Sequence, residues 1–104
     1  MKKGDIILLN APFSDLSERK IRPALVLGNM MEDLLICFMS TQGTNDAPYD
    51  IPVTANRKNG LRVDSYVKCN KIFTLHASLA EMVLGSVNDE VCRKVVERIY
   101  GIMN

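Results

Sequence analysis

The chain has no tryptophan, one histidine and three cysteines, and each shortage removes a class of chemistry. His76 is the only imidazole, and no other ligand type lies near it in sequence. Cys37, Cys69 and Cys92 are odd in number, far apart, and form no Cys-x-x-Cys pair. Neither a zinc site nor a disulfide framework is therefore expected. Cys37 and Cys92 sit in apolar runs and read as small core residues. The seven Asp and five Glu are scattered, with no pair beside the cations discussed below, so no metal and no cofactor is expected. Long apolar runs are missing too. No stretch approaches the roughly 20 residues that span a bilayer. Lys2 and Lys3 could open a signal peptide, but Asp5 follows them and the apolar run Ile6 to Leu9 is far too short. The expectation is a cytoplasmic protein with no membrane partner.

What remains is ordinary for a globular protein: 47% hydrophobic and 24% charged residues in 104 positions. That length fits one domain, 1–104, with a modest core. A core so poor in aromatics is small, which favours shared burial in a homodimer. The net charge of +1 decides nothing, but its distribution is uneven. Residues 23–56 contain Glu32, Asp33, Asp46 and Asp50 and no Lys or Arg, whereas residues 57–71 contain Arg57, Lys58, Arg62, Lys68 and Lys71 against Asp64 alone. Arg19, Lys20 and Arg22 add a second basic segment. If the fold joins the two, the product is a positive patch suited to a phosphate backbone; a solvated face is the plain alternative.

Many short strands precede one helix. Asp5 to Asn10 reads as a first strand and Ala11 to Lys20 as a polar loop. Ala24 to Gly28 reads as a second strand, and Gly28-Asn29 as the site of positive φ in the following turn. Leu34 to Ser40 is continuously apolar, which suits a central strand buried on both faces. It would pair antiparallel with the second. Tyr49 to Thr54 is a fourth strand, at an edge because of Pro52. Asn59-Gly60 signals a tight turn. Ser65 to Leu75 holds one or two strands, with Val67 and Cys69 on one face and Lys68 and Asn70 on the other. Ala77 to Leu84 suggests a short helix ending at Gly85. Asn88 to Ile102 is the clearest helix, capped by Asn88, with Cys92, Val95, Val96, Ile99, Ile102 and Met103 on one stripe. The order predicts an α+β fold, mainly β: a strongly bent antiparallel sheet or barrel with a C-terminal helix packed on it.

Lys20-Ile21-Arg22-Pro23-Ala24-Leu25-Val26-Leu27-Gly28 carries the strongest chemical signal. Pro23 holds Arg22 extended, at the mouth of an apolar strand. A guanidinium is a planar fork, protonated at any working pH, that grips phosphate or carboxylate with two hydrogen bonds. The structural alternative is an ion pair with Asp15 or Glu18.

Several segments together resemble the MazF/PemK type of toxin from toxin–antitoxin pairs. They are Lys3-Gly4-Asp5-Ile6-Ile7, Phe13 in the polar loop, Arg22-Pro23-Ala24-Leu25-Val26-Leu27, and Met39-Ser40-Thr41-Gln42. Ser65-Tyr66-Val67-Lys68-Cys69-Asn70-Lys71-Ile72 with Thr74-Leu75, and Gly85-Ser86-Val87-Asn88-Asp89-Glu90 before the last helix, complete the set. The resemblance runs from about residue 3 to about residue 102. It implies a small SH3-like β-barrel of antiparallel strands with helices, a homodimer, an antitoxin partner, and metal-independent, sequence-specific cleavage of single-stranded RNA. It places the family's active-site pair on Arg22 and Ser40. Its Arg-x-Asp pattern falls on Lys68 and Asn70, where the charge is kept without the fork and the carboxylate is lost. His76 stands where Asp is frequent.

Metal-free RNA cleavage sends the 2′-hydroxyl onto the adjacent phosphorus. It needs a proton acceptor, a counter-charge for the non-bridging oxygens, and a proton for the leaving 5′-oxygen. Arg22 suits the counter-charge and Ser40 can donate a hydrogen bond, with Thr41 as its neighbouring alternative, since strand alternation should point only one of them at the site. Phe13, Lys20, Thr41, Gln42, Lys68 and Asn70 are the substrate-binding candidates. Core packing is the simpler reading for Tyr49 and Phe73. The proton acceptor stays open; His76 has the right intrinsic pKa, but nothing in the sequence places it beside Arg22. Two other functions fit the same resemblance: a non-catalytic binding module, and an interaction protein like the gyrase poisons of related fold.

Overall fold

The computed structural model describes the backbone of residues 1–12 and 19–104, and the side chains of residues 1–10 and 21–104. Six strands form a single antiparallel sheet: β1 (Asp5–Pro12), β2 (Arg19–Met30), β3 (Asp33–Ser40), β4 (Asp50–Val53), β5 (Ser65–His76) and β6 (Ala80–Ser86). Their order across the sheet is β4-β5-β3-β2-β1-β6. A 3₁₀ turn, Ala77–Leu79, joins β5 to β6, and one helix, α1 (Asp89–Ile102), closes the chain.

The apolar run of β3 is central, as its composition requires. Alternate residues feed two cores on opposite faces of the sheet. Cys37 and Met39 join Ile6, Leu25, Val67 and Cys69, which pack with Val95 of α1. Leu34, Ile36 and Phe38 join Ile7, Leu9, Ala24 and Val26, under Leu75, Ala77, Leu79 and Ala80. Fully burying a residue such as Val95 is worth roughly 1.5–3 kcal/mol, so each face of β3 contributes to holding the sheet bent.

Four elements differ from the sequence reading. Strands β1 and β2 extend into the expected loop, pairing Ala11 with Lys20 and Pro12 with Arg19. Backbone pairing continues there although the sequence has turned polar. The β2–β3 turn comes later than Gly28-Asn29: a bulge between Val26 and Gly28 shifts the register, and Met31 takes the positive φ, 62°. The segment Ala77 to Leu84 is not a helix. Only the 3₁₀ turn is helical, and the rest is β6, paired with the free edge of β1 from Leu9 with Ala80 to Asp5 with Ser86. An open strand edge satisfies the backbone of a short apolar segment better than an isolated two-turn helix does. Finally, the sheet is not a closed barrel. Among the described residues β4 and β6 remain edges, β4 being four residues long with Pro52 inside it. The segment 54–64 bridges the opening, with the Ser86 amide donating to the Lys58 carbonyl (2.9 Å). Gly60, at φ 72°, lies so close to Leu84 that a Cβ would meet its carbonyl oxygen at 2.2 Å.

Helix α1 begins as expected, the Asn88 side chain accepting from the Val91 amide at 3.0 Å. Its apolar stripe divides. Cys92 and Val95 are buried on the sheet, while Val96, Ile102 and Met103 are exposed.

Candidate active site

Antiparallel pairing brings Arg22 and Ser40 to one place. Ala24 lies opposite Phe38. The β2–β3 ladder ends at that pair, and beyond it both strands run on, to Arg22 on one side and Ser40 on the other. Ile21, Arg22, Pro23, Met39, Ser40, Thr41 and Gln42 line a cleft of about 450 Å³. Arg22 is half-buried at its wall.

Ser40 is the last residue of β3. Its Oγ accepts a hydrogen bond from the Gln42 amide at 3.0 Å, which leaves the hydroxyl proton available to an incoming acceptor. Thr41 and Gln42 are exposed and line the same cleft. Strand alternation therefore does not separate Ser40 from Thr41: the strand has already ended, and alternation does not reach beyond it.

Lys68 and Asn70 do not line this cleft. The Lys68 ammonium is bound to the buried carboxylate of Asp50 at 2.9 Å and stands 6.0 Å from the centre of the Tyr66 ring. Asn70 is exposed where the β3–β5 pairing shifts register, between Met39 with Val67 and Cys37 with Ile72. Phe13 lies outside the described residues. Lys20 is placed by its backbone alone, opposite Ala11. The two basic segments do not merge through Lys68, whose charge is spent on Asp50; Arg57 and Lys58 belong to the bridging segment beside β6.

His76 stands at the opposite end of β3. It pairs with Asp33, while Ser40 pairs with Tyr66. The intervening strand, at about 3.3 Å per residue, separates the two ends by roughly 23 Å. The His76 ring has local work: its Nδ1 accepts from the Ser78 amide at 3.1 Å and lies 2.8 Å from the Ser78 hydroxyl. Its other nitrogen is 3.7 Å from Glu32.

Three residues beside the cleft escaped the sequence reading. Tyr66 is the cross-strand neighbour of Ser40. Asp50 is buried at the start of β4. Gly43 lies against both: a Cβ there would be 2.6 Å from the Tyr66 ring and 2.8 Å from the Asp50 carboxylate. No local motif marks these positions, since they meet only through strand pairing. Tyr49 and Phe73, expected in the core, are substantially exposed, although Phe73 meets Phe38 edge-on at 5.1 Å between ring centres.

The thiols are poor nucleophiles. Burial, reinforced by Cys69, pushes Cys37 up to about 12; burial also raises Cys69, to about 11, and lifts Cys92. A thiol so held stays protonated at neutral pH. Among the described residues no group of three His, Cys, Asp or Glu side chains gathers in a way that could hold a metal ion. No described helix is long and apolar enough to cross a membrane.

The fold has close counterparts. MazF from Deinococcus radiodurans superposes with a TM-score of 0.80 at 17% identity, covering 99% of this chain and 96% of that one. A MazE–MazF structure from the same organism gives 0.77 at 19% identity, over 100% and 95%. The Mycobacterium tuberculosis toxin MazF-mt6 gives 0.76 at 19% identity, over 95% of each chain. At such identities the likeness is one of fold. No curated protein matches the sequence. The family model of the PemK-like, MazF-like toxins of type II toxin–antitoxin systems matches residues 2–103, nearly the whole length, and the chain belongs to that family.

Proposed function

We propose that the chain, acting as one domain over 1–104, is an endoribonuclease toxin that cuts single-stranded RNA at the Arg22–Ser40 cleft. The observation that carries this reading is the convergence of a half-buried guanidinium and a hydroxyl with a free proton on one cleft. Arg22 binds two non-bridging phosphate oxygens and neutralises the charge that grows on them. Ser40 donates to the same phosphoryl group. The 2′-oxygen forms its bond to phosphorus, the bond to the 5′-oxygen breaks, and a proton passes from the former to the latter. The described lining residues contribute charge and position to this step. Thr41 and Gln42, exposed at the rim, contact the flanking nucleotides.

The guanidinium occupies the electrostatic role a metal ion would otherwise fill, so the reaction needs none. Titrating single-stranded RNA with the protein in excess EDTA should yield fragments with 2′,3′-cyclic phosphate and 5′-hydroxyl ends. Products with 5′-phosphates, or cleavage abolished by chelation, would refute the mechanism. A structure similar to this chain is titled an endoribonuclease in complex with its cognate antitoxin, and an antitoxin is the partner proposed here. A homodimer accompanies it, with the exposed Val96, Ile102 and Met103 of α1 as shared surface. A monomer by sedimentation at micromolar concentration would refute the dimer.

A further inference from the structure

Asp50 is a buried carboxylate to which the proposed chemistry gives no task. It closes the segment that leaves β3 at Ser40 and returns as β4. One of its oxygens, Oδ2, accepts from the Lys68 ammonium at 2.9 Å and from the Thr44 amide at 3.2 Å. Its own amide donates to the Ala47 carbonyl at 3.2 Å, and the Ala47 amide to the Thr44 carbonyl at 3.2 Å. Gly43 is wedged against the Tyr66 ring and the same Asp50 oxygen. Ser40 is pinned at the other side by its pairing with Tyr66. Only Thr41, Gln42 and Gly43 separate the two anchors, so fixing Thr44 fixes the course of the cleft rim.

We propose that Asp50 is a positioning residue for this cleft, holding the Ser40–Gln42 corner through Thr44 and Lys68, and that Lys68 serves Asp50 rather than the RNA phosphate. The inference rests on the cleft being the cleavage site, and its test separates the two claims. A carboxylate with both a cation and an amide on one oxygen loses the cation when replaced by Asn, while the side-chain shape is kept. A rim displaced by an ångström misaligns the Ser40 hydroxyl, and misalignment of that order costs about ten- to a hundredfold in rate. Substrate binding at Arg22 is untouched.

The experiment is a double-mutant cycle of Asp50→Asn and Lys68→Met, read by kcat and KM on a single-stranded RNA and by amide hydrogen exchange without RNA. Both single variants should lower kcat by about tenfold or more, with KM changed less and in the same direction for both, because Arg22 stays in place. The double variant should be little worse than either, because both remove one interaction. Exchange at Thr44 and Gln42 should quicken in each. Opposite effects on KM, tighter for Asp50→Asn and weaker for Lys68→Met, would show that Lys68 grips phosphate and would overturn the proposal. So would unchanged kcat in both, or unchanged exchange at Thr44 and Gln42. If the parent protein cuts no RNA, the proposed function fails, and the exchange data alone decide whether Asp50 fixes the rim. Gly43→Ala gives an independent arm that leaves the ion pair's charges in place. Its methyl must displace Tyr66 or the rim, so kcat should fall in the same way; a fully active, folded Gly43→Ala would also overturn the proposal.

Discussion

The two ends of β3 are both polar, and they are built for different purposes. At the Asp33 end stand Glu32, His76 and Ser78, including the one side chain whose intrinsic pKa suits proton transfer. The imidazole there is occupied locally, accepting from the Ser78 amide, and the backbone is tied off by the Ala77 amide donating to the Glu32 main-chain carbonyl at 2.8 Å. That end is a capped turn. At the Ser40 end a cleft is open, walled among the described residues by a guanidinium and a hydroxyl. Under the proposed function, geometry decides between the two ends: His76 stands roughly 23 Å from the cleft, too far to move a proton there, while Arg22 lines it.

The contrast breaks most readily at Arg22. Arg22→Ala should lose on the order of 10²–10³ in cleavage rate with an unchanged melting temperature. Arg22→Lys should recover only part, because a point charge does not bridge two oxygens. Equal activity in Arg22→Ala and the parent would remove the Ser40 end from consideration. Loss of activity only through unfolding would make Arg22 a structural cation.

Ser40→Ala removes one hydrogen bond to a charged phosphoryl oxygen. Such a bond is worth about 1.5–3 kcal/mol, so single-turnover cleavage should slow roughly ten- to a hundredfold. A loss exceeding that of Arg22→Ala would reverse the assigned roles.

Most of this contrast was readable from residue order. The β2–β3 hairpin, the edge position of β4 and the cap of α1 follow from apolar runs, Pro52 and Asn88. Arg22 stands out in the sequence by Pro23 and the apolar strand after it, and Ser40 enters only through the family resemblance; the fold sets both along one cleft. What local pattern misses is what pairing decides. The sequence reads Ala77 to Leu84 as helix, whereas residues 80–84 lie in β6, because their strand character comes from the open edge of β1. Lys68 looked available because nothing in sequence announces that Asp50, on another strand, lies across from it. Asn70 takes its expected site role from the family's Arg-x-Asp pattern, but it does not line the cleft and lies where the β3–β5 register shifts.

His76→Ala tests the quiet end. It should change cleavage by less than about twofold and cost roughly 0.5–1 kcal/mol of stability, the value of a lost cap, seen as a small drop in melting temperature. A large loss of rate at unchanged stability would make His76 the missing base.

The smallest effect concerns neither end but the core between them. Cys37 and Cys69 are raised from 9.0 to about 12 and about 11 by burial. Above pH 9 the unfolded chain gives up thiol protons that the folded chain retains, so stability present below pH 9 is lost as pH rises toward those values. Denaturant midpoints should fall across that range, and Cys37→Ala should flatten the fall after allowance for its own cavity. A midpoint that rises with pH there would contradict the burial of these thiols.

The most direct test of the two ends is an NMR titration of the labelled protein with a mixed-sequence, uncleavable single-stranded oligonucleotide carrying 2′-O-methyl groups. The account predicts that amide shifts move at Arg22, Ser40, Thr41 and Gln42 and stay fixed at Glu32, His76 and Ser78. Shifts centred on His76 with Arg22 and Ser40 unmoved would contradict it.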